Sequence, residues 1–105
     1  MLFLKPGVRI TGMRPEILFA AVVAERVYAE AGPDLTVTAC VDGKHMAGSF
    51  QYSGAAIDLR TRDLAPDEVQ KLTARTKSCL GDDFDVLLEV DHIHIEFQPK
   101  ASLTA

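Results

Sequence analysis

Apolar positions recur at helical spacing behind Pro15-Glu16, where Ile17, Leu18, Ala21, Val22, Ala24, Val27 and Tyr28 share a face and Gly32-Pro33 stops the run. The pattern predicts a helix of about four turns. Leu35-Thr36-Val37-Thr38-Ala39-Cys40-Val41 is rich in β-branched residues and ends at the turn signal Asp42-Gly43, which predicts a strand. Residues 44–54 turn polar and glycine-bearing, a loop long enough to carry function, before Ala55-Ala56-Ile57-Asp58-Leu59 resumes a strand pattern. Pro66 at a first helical position, with Asp67 and Glu68 in the first turn, announces a second helix. It carries Val69, Leu72, Thr76 and Cys79/Leu80 on one face and ends at Gly81. Phe84-Asp85-Val86-Leu87-Leu88-Glu89 and Ile93-His94-Ile95-Glu96-Phe97, separated by Val90-Asp91-His92, predict a hairpin. No repeat, low-complexity tract or linker interrupts the chain, so residues 1–105 are expected to form one α+β domain with a frayed end at 100–105.

Composition narrows the possibilities. The 105 residues carry 11 Lys+Arg against 15 Asp+Glu, a formal charge of −4, with 48% hydrophobic and 25% charged positions, the balance of an ordinary soluble domain. A chain of this size buries roughly two-thirds of its unfolded surface, enough for one core, so any catalytic apparatus must be compact. A pI near 5.2 and the lack of a Lys/Arg cluster argue against nucleic acid as a partner. The longest apolar run, residues 17–23, is about a third of the ~20 residues of a bilayer helix, so no membrane partner is expected. The opening Met1-Leu2-Phe3-Leu4-Lys5-Pro6 lacks the order of a secretory signal, so the chain is expected to stay in the cytoplasm or to leave it by another route. Cys40, on a strand, and Cys79, on the apolar face of the second helix, read as reduced core residues.

The most informative chemistry is His92-Ile93-His94. Side chains two apart on a strand share a face, so His92, His94 and Glu96 line one side while Ile93, Ile95 and Phe97 enter the core. Imidazole, imidazole and carboxylate in a row form a wall suited to a metal or acid/base site. The plainer alternative is a solvated strand face with two titrating histidines. Asp58 closes Gly54-Ala55-Ala56-Ile57-Asp58, whose small residues leave room for a neighbour to approach. A metal between this segment and the hairpin could take Asp58 and His94 as ligands; the alternative is a turn carboxylate paired with Arg60 or Arg62. Ser49 either polarises a substrate carbonyl or, without a neighbouring histidine or nucleophile-elbow glycines, braces its loop. Arg60 and Arg62 either bind a substrate carboxylate or pair with Asp63 or Asp67.

Ser49-Phe50-Gln51-Tyr52-Ser53-Gly54-Ala55-Ala56-Ile57-Asp58 resembles the S-x-H-x-x-G-x-A-x-D signature of zinc peptidases that cut bacterial cell-wall peptides, the D-alanyl-D-alanine carboxypeptidases and L-alanyl-D-glutamate endopeptidases. Asp91-His92-Ile93-His94 resembles their D-H-x-H ending. The resemblance covers roughly residues 8–98, and Asp58-Leu59-Arg60-Thr61 with the run from Glu89 to Glu96 is most similar to small phage and prophage members. It implies the α+β fold of this clan, shared with the hedgehog signalling domain: a small antiparallel sheet with two main helices holding one zinc.

Carried over by residue, the resemblance makes Asp58 and His94 zinc ligands and Asp91 the general base. His92 stabilises the developing oxyanion. A competing register makes His92 the ligand and Glu89 the base, because Glu89-x-x-His92 and Asp91-x-x-His94 share one spacing. The chain departs from the signature at the third ligand position, where Gln51 replaces histidine. An amide oxygen is a poor zinc donor beside imidazole, so the zinc affinity of this set is expected to fall by orders of magnitude. Gln51 reads as an engineered or accidental replacement, as a natural loss in a decaying prophage copy, or as a change in which another group such as His45 ligates. The implied function is zinc-dependent cleavage of peptidoglycan stem peptides by a monomer, impaired at Gln51 and released through a holin in a phage setting. The alternative is a non-catalytic cell-wall-binding or virion structural module on the same fold.

Overall fold

The computed structural model describes residues 1–41 and 54–99. Pro15 and Pro66 each open a helix, because a ring that lacks an N–H and fixes φ suits the first helical position. Helix α1, Pro15–Ala31, closes where Gly32 turns to φ 116° and its N–H bonds the Tyr28 carbonyl at 2.8 Å. Its buried stripe is Ile17, Ala20, Ala21, Ala24, Val27 and Tyr28. Leu18 and Val22, expected on that stripe, are about half exposed, since each lies more than a quarter turn round the axis from Ile17. Helix α2, Pro66–Leu80, buries Val69, Leu72 and Thr76. Cys79 corrects the sequence reading: Leu80 takes the core-facing position of the last turn, and Cys79, one residue round the helix, is exposed. Cys40 is buried as expected, and Cys40 and Cys79 are not joined in a disulfide.

The strands are β1 (Leu2–Leu4), β2 (Leu35–Ala39), β3 (Ala56–Arg60), β4 (Phe84–Leu88) and β5 (His92–Phe97). They form one sheet in the order β1-β2-β3-β5-β4, antiparallel except for the parallel β1–β2 pair. The fold is therefore α+β, as the sequence pattern indicated. β4 and β5 form the expected hairpin, with the Glu89 N–H bonding the His92 carbonyl at 2.9 Å. Strand β2 stops two residues short of the expected end, because its register against β3 shifts between Val37 and Ala39; Cys40 and Val41 are buried beyond the ladder. Strand β1 had no counterpart in the pattern, being three exposed residues at the sheet edge.

Alternation fixes what each face of the sheet does. Leu35, Val37, Ile57, Leu59, Val86, Ile93 and Ile95 point to one side and pack with α1 and Leu72 of α2 in a single core. The intervening residues of β3 and β5, among them Asp58, His92, His94 and Glu96, face the other side. Among the described residues no helix is long and apolar enough to cross a membrane. The turn Asp42-Gly43, the loop with His45, Ser49 and Gln51, and the end at 100–105 lie outside the described residues.

One close approach anchors the start of β3. Gly54 has φ 76°, its carbonyl accepts the Arg14 N–H at 3.0 Å, and a Cβ built on it would collide with the Gly12 carbonyl oxygen. The small residues before Asp58 thus admit a neighbour, and the neighbour is the segment leading into α1. Gly81 shares a positive φ of 83° but has open space around the same point. Gly54→Ala is therefore expected to cost clearly more than the roughly 1–3 kcal/mol of backbone strain expected of Gly81→Ala, where φ 83° and ψ −169° are a conformation that glycine alone ordinarily adopts. Urea denaturation of the two variants checks this, and equal losses would contradict the close approach.

Candidate metal centre

Antiparallel pairing of β3 with β5 sets Asp58 directly opposite His94 and Arg60 opposite His92. Opposed residues in such a pair stand about 5 Å apart at Cβ, within reach of a short carboxylate and an imidazole. The period of two along β5 then adds His92 and Glu96 on either side of His94. Each side chain that meets here is thus placed by main-chain register.

His94 lies between two carboxylates. Its Nδ1 is 2.7 Å from Asp58 Oδ1 and its Nε2 is 2.8 Å from Glu96 Oε1. All three side chains are 16–17% exposed. His92 is arranged in a parallel way, with Nδ1 2.7 Å from Asp91 Oδ1 and Nε2 3.6 Å from Asp58 Oδ1. Both imidazoles therefore turn one nitrogen toward the same Asp58 oxygen and the other toward a separate carboxylate. The two rings stand 77° apart in plane with centroids at 6.4 Å.

Asp58, His92 and His94 each offer one ligand atom, and these atoms lie within 4.8 Å of one another, close enough to hold a metal ion. Donors on a tetrahedral ion with bonds near 2.0–2.1 Å sit about 3.3 Å apart. The two separations from Asp58 Oδ1, 2.7 and 3.6 Å, bracket that value, and one carboxylate with two imidazoles is a donor set that suits a borderline divalent cation. The carboxylates behind the rings match a second requirement, since a ligating histidine commonly donates its remaining N–H to an acceptor that fixes ring and tautomer.

The structure brings together Asp58 and His94, as the sequence motifs implied, and adds His92 to them. Asp91 is 82% exposed and reaches the centre through His92. Glu89 is also exposed; its main chain closes the hairpin, and its side chain is outside the ligand group. Gln51 and His45 lie outside the described residues. Arg62 approaches Asp63 at 4.0 Å, one of the pairings expected for it. The specific bond of Glu96 to His94 went unrecognised in the sequence, although the i, i+2 spacing on β5 carried the signal.

The electrostatics follow from this geometry. An imidazole can donate to two carboxylates only when protonated. The Asp58 bond, aided by the Glu96 bond, accordingly raises the His94 pKa above its ordinary value of 6.5, against the opposing effect of burial. A group whose pKa is raised by folding contributes its full stabilisation below its unfolded pKa and loses it as pH rises through the folded value. Without metal, the chain is expected to lose stability from about pH 6.5 upward. His94→Gln should flatten that slope in urea titrations at a series of pH values, and an unchanged slope would remove His94 as its source. Metal competes with the proton on Nδ1, so binding should strengthen over the same interval. No protein-family model and no curated protein matches this chain.

Proposed function

We propose that this protein is a zinc-dependent peptidase acting on peptidoglycan stem peptides, with the hedgehog/DD-peptidase type of α+β fold. The observation that carries the metal part is the convergence of Asp58, His92 and His94 on one point of the sheet. The peptidase part is supported by the resemblance of residues 49–58 and 91–94 to the two motifs of that clan, with Asp58 and His94 in the ligand positions of both the motif and the cluster.

Asp58 and His94 would hold the ion, and His92 would supply the third donor in the absence of a histidine at position 51. Zinc in such a set polarises a scissile carbonyl and lowers the pKa of water toward neutrality. Asp91 uses one carboxylate oxygen to hold His92 Nδ1. Its exposure leaves the carboxylate accessible to accept a proton from the attacking water and return it to the leaving amine. With a histidine at position 51, as in the motif that residues 49–58 resemble, His92 would be released from ligation and would donate a hydrogen bond to the tetrahedral oxyanion.

Zinc content after dialysis, together with peptide release from purified cell walls, tests this reading. The chain should hold about one zinc weakly, and Gln51→His should raise zinc affinity and peptide release together. His92→Ala should abolish zinc binding in the parent chain and spare it in the Gln51→His background. Absence of zinc from both parent and Gln51→His would overturn the metal centre. Gln51 itself favours a second reading, a cell-wall-binding or virion module that keeps the fold without chemistry. Cell-wall binding that survives chelation and Asp91→Asn, with no peptide release from Gln51→His, would establish it.

A further inference from the structure

We infer that Glu96 is the positioning residue of the metal centre: by accepting a hydrogen bond from Nε2–H of His94 it commits that imidazole to ligate through Nδ1. The inference rests on the metal reading above and concerns how the site is set.

The geometry distinguishes the two ring nitrogens. Nε2 lies 2.8 Å from Glu96 Oε1, whereas Nδ1 faces Asp58, the other member of the ligand group on the facing strand. A neutral imidazole has one N–H and one lone pair, so an acceptor on Nε2 leaves the lone pair on Nδ1. Glu96 is well placed for this because it lies two residues beyond His94 on the same strand face, and only 16% of its side chain is exposed. Asp91 makes the corresponding contact to His92 at 82% exposure, where water competes for the same hydrogen bond.

The sheet supplies an independent argument. Glu96 stands opposite Ala56 on β3 and opposite Asp85 on β4. Two carboxylates directly across an antiparallel pair destabilise it, so sheet pairing alone favours a neutral or basic residue at this position. The acidic residue there is accounted for by the ring it holds, and the methyl group of Ala56 is the small neighbour beside it.

Zinc affinity by competition with a chromophoric chelator, measured on the parent chain, Glu96→Gln and Glu96→Ala, tests the inference. Removal of such an outer carboxylate lowers metal affinity about 10–100-fold, which is the loss expected for Glu96→Ala. Glu96→Gln keeps an acceptor oxygen for Nε2–H and should retain most of the affinity. Equal affinity in Glu96→Ala would overturn the role of Glu96 while leaving the metal centre standing. No zinc in the parent or in Gln51→His would overturn both. Imidazole nitrogen NMR of the zinc-loaded parent decides the matter even where Glu96→Ala fails to fold. His94 protonated on Nε2 and metal-bound through Nδ1 is expected, and the reverse assignment would refute the inference.

Discussion

The pairing of β3 with β5 governs both halves of this molecule. Its register puts Ile57 against Ile95 and Leu59 against Ile93 on one face, where they are 0–1% exposed beneath the helices. The same register puts Asp58 against His94 on the other face. A slip of β5 by one residue would turn Ile93 and Ile95 to water and carry the imidazoles into the core, so burial of the core enforces the geometry of the site. The chemical cluster depends on a constraint that is hydrophobic in origin.

Much of this was legible in the amino-acid sequence because it depends on short periods. The i, i+2 alternation of residues 92–97 and the proline-led starts of both helices are local signals, and each matches the element found. Asp58 and His94 are joined in the sequence only by their ligand chemistry and by motif resemblance, because their contact spans 36 positions and no local pattern encodes it. The exposed faces of Leu18, Val22 and Cys79 were misread for a related reason. An apolar side chain just off a helical stripe differs from one on it by the position of the neighbouring layer, which the sequence does not state. β1 escaped notice because three residues are too few for a period and its partner β2 begins more than thirty residues later.

The site also shows how charge is balanced on a sheet face. Asp58, Glu96 and Asp91 surround two imidazoles, giving three carboxylates for two rings. With His94 protonated, part of that negative charge is neutralised within the fold; a divalent cation would neutralise more of it. A proton and a cation would compete for the same electrostatic position, and the hydrogen bond from His94 to Asp58, the first cause of the raised His94 pKa, draws positive charge to it.

The ring of His94 held between two carboxylates has a consequence for how the site is kept in shape. A proton on that imidazole bridges Asp58 and Glu96, so the two strands are tied across their polar face by the same side chains that a cation would draw together. The cluster is therefore also a clasp between β3 and β5, and its side chains have a structural use that is separate from any chemistry they perform.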